Sequence, residues 1–235
     1  MEEGLNKKED DEVSATTELS AIYTTASDAD DEKNNANIEA AESHYKILLV
    51  GNEGCGKTTF AWRVQTNKFI EAEQTHGIDM SMFDYEYQTE RLFVPLVLWD
   101  LSGRSEYVKF TKHYIKGVHG IFIAFDENDE NWEKYCNDWF QIVSDANETK
   151  RLPPIILLGL KCDLPRNINP TDAHMWAKSH NAKYYEACAK TGLGIHTVIE
   201  YMIEIMNERL CASSAVVTSS SYFRCLPPLP NCSLM

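Results

Sequence analysis

Basic residues are scarce in this chain of 235 residues, with 22 Lys and Arg against 36 Asp and Glu and a formal net charge of −14. That balance argues against a duplex nucleic-acid partner, because phosphate neutralisation needs clustered cations. No apolar run approaches the roughly 20 residues that a membrane-spanning helix requires. The longest, around residues 154–160, is the length of a single strand. The acidic N-terminus lacks the basic-then-apolar order of a secretory signal, so the chain is expected to stay in the cytosol. Seven cysteines make an odd count without one C-x-x-C pair, which fits neither a disulfide framework nor a zinc knuckle and leaves reduced thiols. There is no internal repeat. What is present, 43% hydrophobic and 25% charged residues, is the composition of a globular domain with a real core.

The negative charge is concentrated. Residues 1–44 hold 13 acidic and 3 basic side chains with one aromatic, Tyr23, and no apolar periodicity. Such a segment cannot bury enough surface to offset its ordering entropy, so 1–44 is expected to be a disordered, solubilising acidic extension. Residues 211–235 carry one charged residue, Arg224, and are rich in Ser and Pro, which predicts a flexible tail. Between them, residues 45–210 are expected to form one domain.

Within that domain, short apolar runs alternate with helical periodicity, the signature of an α/β fold. Residues 46–50, 96–99, 121–125, 155–158 and 184–187 read as strands buried on both faces. Trp132, Cys136, Trp139, Phe140 and Val143 form one helical stripe, and Ile195, Val198, Ile199, Met202 and Met206 form another. Tyr85 and Tyr87 alternate with polar residues before the stretch 88–91, which predicts an antiparallel hairpin into residues 92–100. Pro95 lies inside that second strand and predicts a late start or a bulge.

The sharpest chemical signal is Gly51-Asn52-Glu53-Gly54-Cys55-Gly56-Lys57-Thr58, a G-x-x-x-x-G-K-S/T phosphate-binding loop followed by Thr59. It follows a strand and opens a helix pattern of Phe60, Ala61 and Val64, the context that such a site needs. Its glycines let backbone N–H groups curl round phosphates at a helix N-terminus. Lys57 would reach the β and γ phosphates, and the Thr58 hydroxyl would ligate Mg²⁺. Three later segments bear on which nucleotide binds. Trp99-Asp100-Leu101-Ser102-Gly103 ends a strand and places Asp100 near a Mg²⁺ water and the Gly103 N–H near a γ phosphate. In Lys161-Cys162-Asp163, the Asp163 carboxylate would accept two N–H donors from one base edge, a pair that guanine offers and adenine does not. Glu186-Ala187-Cys188-Ala189-Lys190 would close over the base.

In that order and spacing the chain resembles the Ras-like small GTPases, and among them the Rab type. The resemblance covers residues 45–210 and includes Thr75-His76-Gly77-Ile78-Asp79, similar to the Rab switch I segment. It implies a P-loop NTPase fold with a six-stranded, mostly parallel mixed sheet flanked by about five helices. It also implies GTP or GDP with Mg²⁺ as the bound species. By position, Thr58, Thr75 and Asp100 would hold the metal, and Phe69 would stack on the base. Lys161 would pack against the base, Asp163 would select guanine, and Cys188, Ala189 and Lys190 would form the last guanine-contacting motif, Cys188 standing where the family has Ser. The implied partners are an exchange factor, a GTPase-activating protein and effectors that read the switch loops of a monomer. A P-loop kinase or ATPase is disfavoured by Asp163.

Three departures bear on the chemistry. Arg104 occupies the position of the family's catalytic Gln, Glu53 replaces a small residue, and Leu160 replaces the Asn that opens the base motif. Arg104 and Lys57 are therefore the candidate catalytic residues, and slow hydrolysis is the expectation. Glu53 and Arg104 either pair across the site or point into solvent. The competing class is a pseudo-GTPase, a scaffold locked in one nucleotide state or empty. Cys232-Ser233-Leu234-Met235 matches a prenylation box with Cys232 as the lipidated residue, which implies the cytoplasmic face of a membrane with a cytosolic pool. Cys225 or Cys211 would be the acylated thiol if a second anchor exists, because the usual polybasic signal is missing. Pro227 and Pro230 read as spacer stiffness, and the sequon at Asn147 goes unused in a cytosolic protein.

Overall fold

The computed structural model describes residues 44–87, 92–147 and 151–213. The acidic extension over residues 1–43 and the tail beyond Ser213, Cys225 and Cys232 included, lie outside the described residues. In chain order the elements are β1 (Tyr45–Gly51), α1 (Lys57–Thr66), β2 (Ile78–Tyr87), β3 (Leu92–Leu101), α2 (Ser105–Val108) and α3 (Thr111–Tyr114). They continue with β4 (Gly120–Asp126), α4 (Trp132–Ala146), β5 (Ile155–Leu160), α5 (Pro170–Ser179), β6 (Lys183–Ala187) and α6 (Ile195–Ser213).

The six strands lie in the order β2-β3-β1-β4-β5-β6. Only β2 and β3 pair antiparallel, and every other pairing is parallel. Because β1 lies between β3 and β4, the chain crosses away from it in both directions, and a crevice opens at its C-terminal end, the usual place for a ligand in such sheets. Alternate residues of β1 serve two cores. Ile47 and Leu49 pack under α1 and α6 with Phe60, Val198 and Met202. Leu48 and Val50 pack under α4 and α5 with Trp139, Val143 and Trp176. Both expected helical stripes are core, with Phe140 alone half-buried. Asn169 caps α5 by accepting from the Thr171 N–H at 3.1 Å, with Pro170 in the first turn where its missing N–H costs nothing.

Two expectations change. Pro95 produces neither a bulge nor a late start, because β2 and β3 keep one-to-one register from Ile78↔Leu101 to Tyr87↔Leu92, with Asp84 opposite Pro95. The ladder from β3 to β1 begins at Leu96, so at Pro95 the strand has a free side and loses no bond. Six helices stand among the described residues, two of them single turns, in keeping with the expected fold. Residues 105–114 bury only Thr111 and hold two separate four-residue helices, too short of apolar surface to form one continuous helix. The last helix also runs to Ser213, three residues past the expected end of the domain.

Candidate functional site

A cleft of about 480 Å³ opens at the C-terminal end of β1. Gly54 and Gly56, with φ of 74° and 103°, turn the chain from β1 into α1, so that the first N–H groups of that helix face the cleft. Lys57, 5% exposed, folds back so that its ammonium donates to the Gly51 and Asn52 carbonyls at 2.9 and 2.7 Å. Gly103 lies against the same loop. A Cβ there would collide with the Glu53 N and the Gly51 carbonyl, so only glycine lets the end of β3 approach the phosphate-binding loop this closely.

Thr58 from α1, Thr75 from the loop of residues 67–77 and Asp100 from β3 meet at one point. The two hydroxyls are 2.6 Å apart, and Thr58 donates to Asp100. Burial pushes the Asp100 carboxyl up to about 6, against the Thr58 hydroxyl and the Lys57 ammonium, which pull it down. Its Oδ1 is buried with no hydrogen-bond partner. Two hydroxyls and a carboxylate with an orphaned oxygen form an all-oxygen donor set that fits Mg²⁺.

At the far end of the cleft, Lys161 is a strap. In the left-handed region at φ 62°, it donates to the Gly54 carbonyl at 2.6 Å and to Asp126 at 2.8 Å, tying the loop after β5 to the phosphate-binding loop and to β4. The Cys188 thiol donates to Asp163 at 3.1 Å and accepts from the Thr191 N–H. That contact, helped by Lys190 at 3.7 Å, holds the Asp163 carboxyl below its usual range. Phe69, Ala189, Lys190, Thr59 and Glu53 also line the cleft.

Several expected residues stand apart from the lining. Cys55 turns its buried side chain into the core, and Gly51 and Asn52 contribute carbonyls to Lys57 from behind the loop. Arg104 and Glu53 do not pair across the site. The Arg104 guanidinium joins Glu106 at 3.2 Å, and Glu53 is exposed. Leu160 does line the cleft beside Gly56, but it is 2% exposed and the rest of its side chain packs in the core beneath α1. Residue reasoning missed Glu71 and Glu73, which line the cleft between Phe69 and Thr75, and Asp126, the partner of Lys161. Their positions, between two expected contacts and at a strand end, were the available signal.

A sequence profile of the Ras family matches residues 46–208 of this fold. The chain belongs to the Ras family. This Ras-family chain is 30% identical to cattle Ras-related protein Rab-27B over 176 residues, 70% of its own length and 80% of the relative's. It is likewise 30% identical to rat GTP-binding protein Rab-3D over 179 residues, covering 73% and 80%. To Ras-related protein RabC of Dictyostelium discoideum it is 26% identical over 163 residues, covering 68% and 82%. The Ras-family cleft described above is that of a small GTPase switch of the Rab type.

Proposed function

We propose that the protein binds GTP and GDP with Mg²⁺, hydrolyses GTP slowly without help, and acts as a switch in membrane traffic or signalling at the cytoplasmic face of a membrane. The convergence of Thr58, Thr75 and Asp100 carries this reading, because residues 17 and 42 positions apart meet as one hard-oxygen donor set around an orphaned carboxylate oxygen. Bound Mg²⁺ would neutralise phosphate charge. Those three residues would hold it. Lys57 would exchange its carbonyl partners for phosphate oxygens, the Gly103 N–H would donate to the γ phosphate, and Phe69 would stack on a guanine read by Asp163. Thr75 sits on residues 67–77, which carry neither helix nor strand, so holding or releasing Thr75 would order or relax that loop, the family's switching device.

Partners under this reading are an exchange factor, a GTPase-activating protein and effectors that read the switch loops of a monomer. Cys232 would carry a farnesyl group at the end of a tether that begins after α6, with a cytosolic pool because one lipid anchors reversibly. The deciding experiment is to identify the nucleotide released when the purified protein is denatured, followed by competition between GTP and ATP. Guanine nucleotide and a strong GTP preference are expected. Protein free of nucleotide would favour the pseudo-GTPase, and equal affinity for ATP would overturn the reading.

A further inference from the structure

Two carboxylates are buried among the described residues, Asp100 and Glu127. The first belongs to the metal site, and nothing above uses the second. Glu127 follows β4 directly and is 1% exposed. A buried carboxylate is tolerated only when paired and hydrogen-bonded. Its Oε1 accepts from the Tyr184 hydroxyl at 2.7 Å, and its Oε2 accepts from Arg166 Nε at 3.0 Å. Arg166 Nη2 reaches both Glu127 and Glu186, at 3.0 and 2.7 Å. The niche is reserved, because a Cβ on Gly159 would run into Glu127 Oε1 and stand 3.0 Å from the Tyr184 hydroxyl.

The main chain continues the grip. The Glu127 N–H donates to the Leu160 carbonyl at 3.1 Å, the Glu127 carbonyl accepts from Asn167 N at 3.0 Å, and Asn167 Nδ2 donates to the Asn128 carbonyl at 2.9 Å. Both ends of the loop that carries Lys161 and Asp163 are therefore fastened to residues 127–128. The Leu160 side chain contributes only apolar packing, although the family's Asn would stand there.

We propose that Glu127 is the positioning residue of the base-recognition loop: its carboxylate, gripped by Arg166 and Tyr184, fixes Asp163 against guanine and replaces the anchor that Leu160 lacks. The inference rests on reading the cleft as a guanine-nucleotide site. A buried ion pair is a poor source of stability, since exchange for an uncharged group is often neutral or stabilising, so position is the better account of why this one is built.

The test measures release of fluorescent GDP, inosine diphosphate and ADP from the full chain, beside its melting temperature. Inosine lacks the exocyclic amine that Asp163 would accept, so the ratio of inosine diphosphate to GDP release rates reports how well Asp163 is placed. In Glu127→Gln the one amide oxygen keeps the Tyr184 bond while the amide N–H faces Arg166, which turns to Glu186, so the melting temperature should fall by several degrees. GDP release should quicken about tenfold, with the inosine to guanosine ratio falling toward one. Tyr184→Phe, whose ring keeps its packing on Phe125 and His174, should move both readouts in the same direction and stands in if Glu127→Gln does not fold. Unchanged release ratios with a lowered melting temperature would make the network merely structural and overturn the proposal. Wild-type protein that holds ADP as long as GDP would overturn the guanine reading itself, and this inference with it.

Discussion

Arg104 and Leu160 show how one side chain alters a shared site. In phosphoryl transfer the protein positions the attacking water and stabilises charge, and Arg can donate but not accept. The ion pair with Glu106 is half-exposed and worth at most about 1 kcal/mol, so Arg104 is replaceable at little cost in stability. Arg104→Gln should raise single-turnover GTP hydrolysis by about 10²-fold or more, the scale of a positioned acid/base group. An unchanged rate would place the limit elsewhere. Leu160→Asn sets two effects against each other. A buried amide that lacks partners costs about 1–3 kcal/mol, yet the same amide gives the base loop a second anchor. GDP release should slow several-fold while the nucleotide-free protein melts earlier, a split that stopped-flow release and calorimetry would resolve together.

Among elements, the decisive joint is where the loop after β5 meets the end of β4 and the phosphate-binding loop. Lys161 ties all three, and its partner Asp126 also accepts from the Asn128 N–H and side-chain amide at 2.9 and 3.1 Å. Burial alone would raise the Asp126 carboxyl, but these donors outweigh it and hold the carboxyl below its ordinary value. A depressed carboxyl contributes stability that is fully present above the unfolded pKa of about 4 and is lost as pH falls through the folded one. Urea melts of wild type against Asp126→Asn should therefore differ by a constant amount from pH 7 to 5 and draw together progressively as pH falls below about 4. A gap that does not narrow at all as pH falls below about 4 would remove the ion pair as its cause.

Over the whole molecule, charge and the proposed anchor lie at opposite ends of the sequence. The −14 is concentrated in residues 1–44, whereas the tail after α6 carries one charge and ends in Cys232-Ser233-Leu234-Met235, the proposed lipidation signal. Wild-type protein should accumulate in the membrane fraction of cells and Cys232→Ser in the cytosol. Unchanged fractionation with no lipid mass on the C-terminal peptide would make the box accidental. No helix of the described residues is long and apolar enough to cross a membrane.

What the sequence determined by itself was local or ordered along the chain. The phosphate-binding loop is a backbone geometry written in eight adjacent residues. The two helical stripes and the apolar runs are periodicities, and the order of the short motifs was enough to indicate the family and its six-stranded sheet. Tertiary structure alone decided which distant side chains meet. Arg104 turns to Glu106 and not Glu53, and Pro95 passes without a bulge because β1 pairs only from Leu96 onward. The hydroxyl of Tyr184 finds Glu127, 57 residues earlier, because β4, β5 and β6 lie side by side with only Gly159 between the two side chains. Spacing along a chain fixes a turn or a stripe. The partner of a buried charge depends on strand order and on the space a neighbouring residue leaves, and neither is set by residues close to it in sequence.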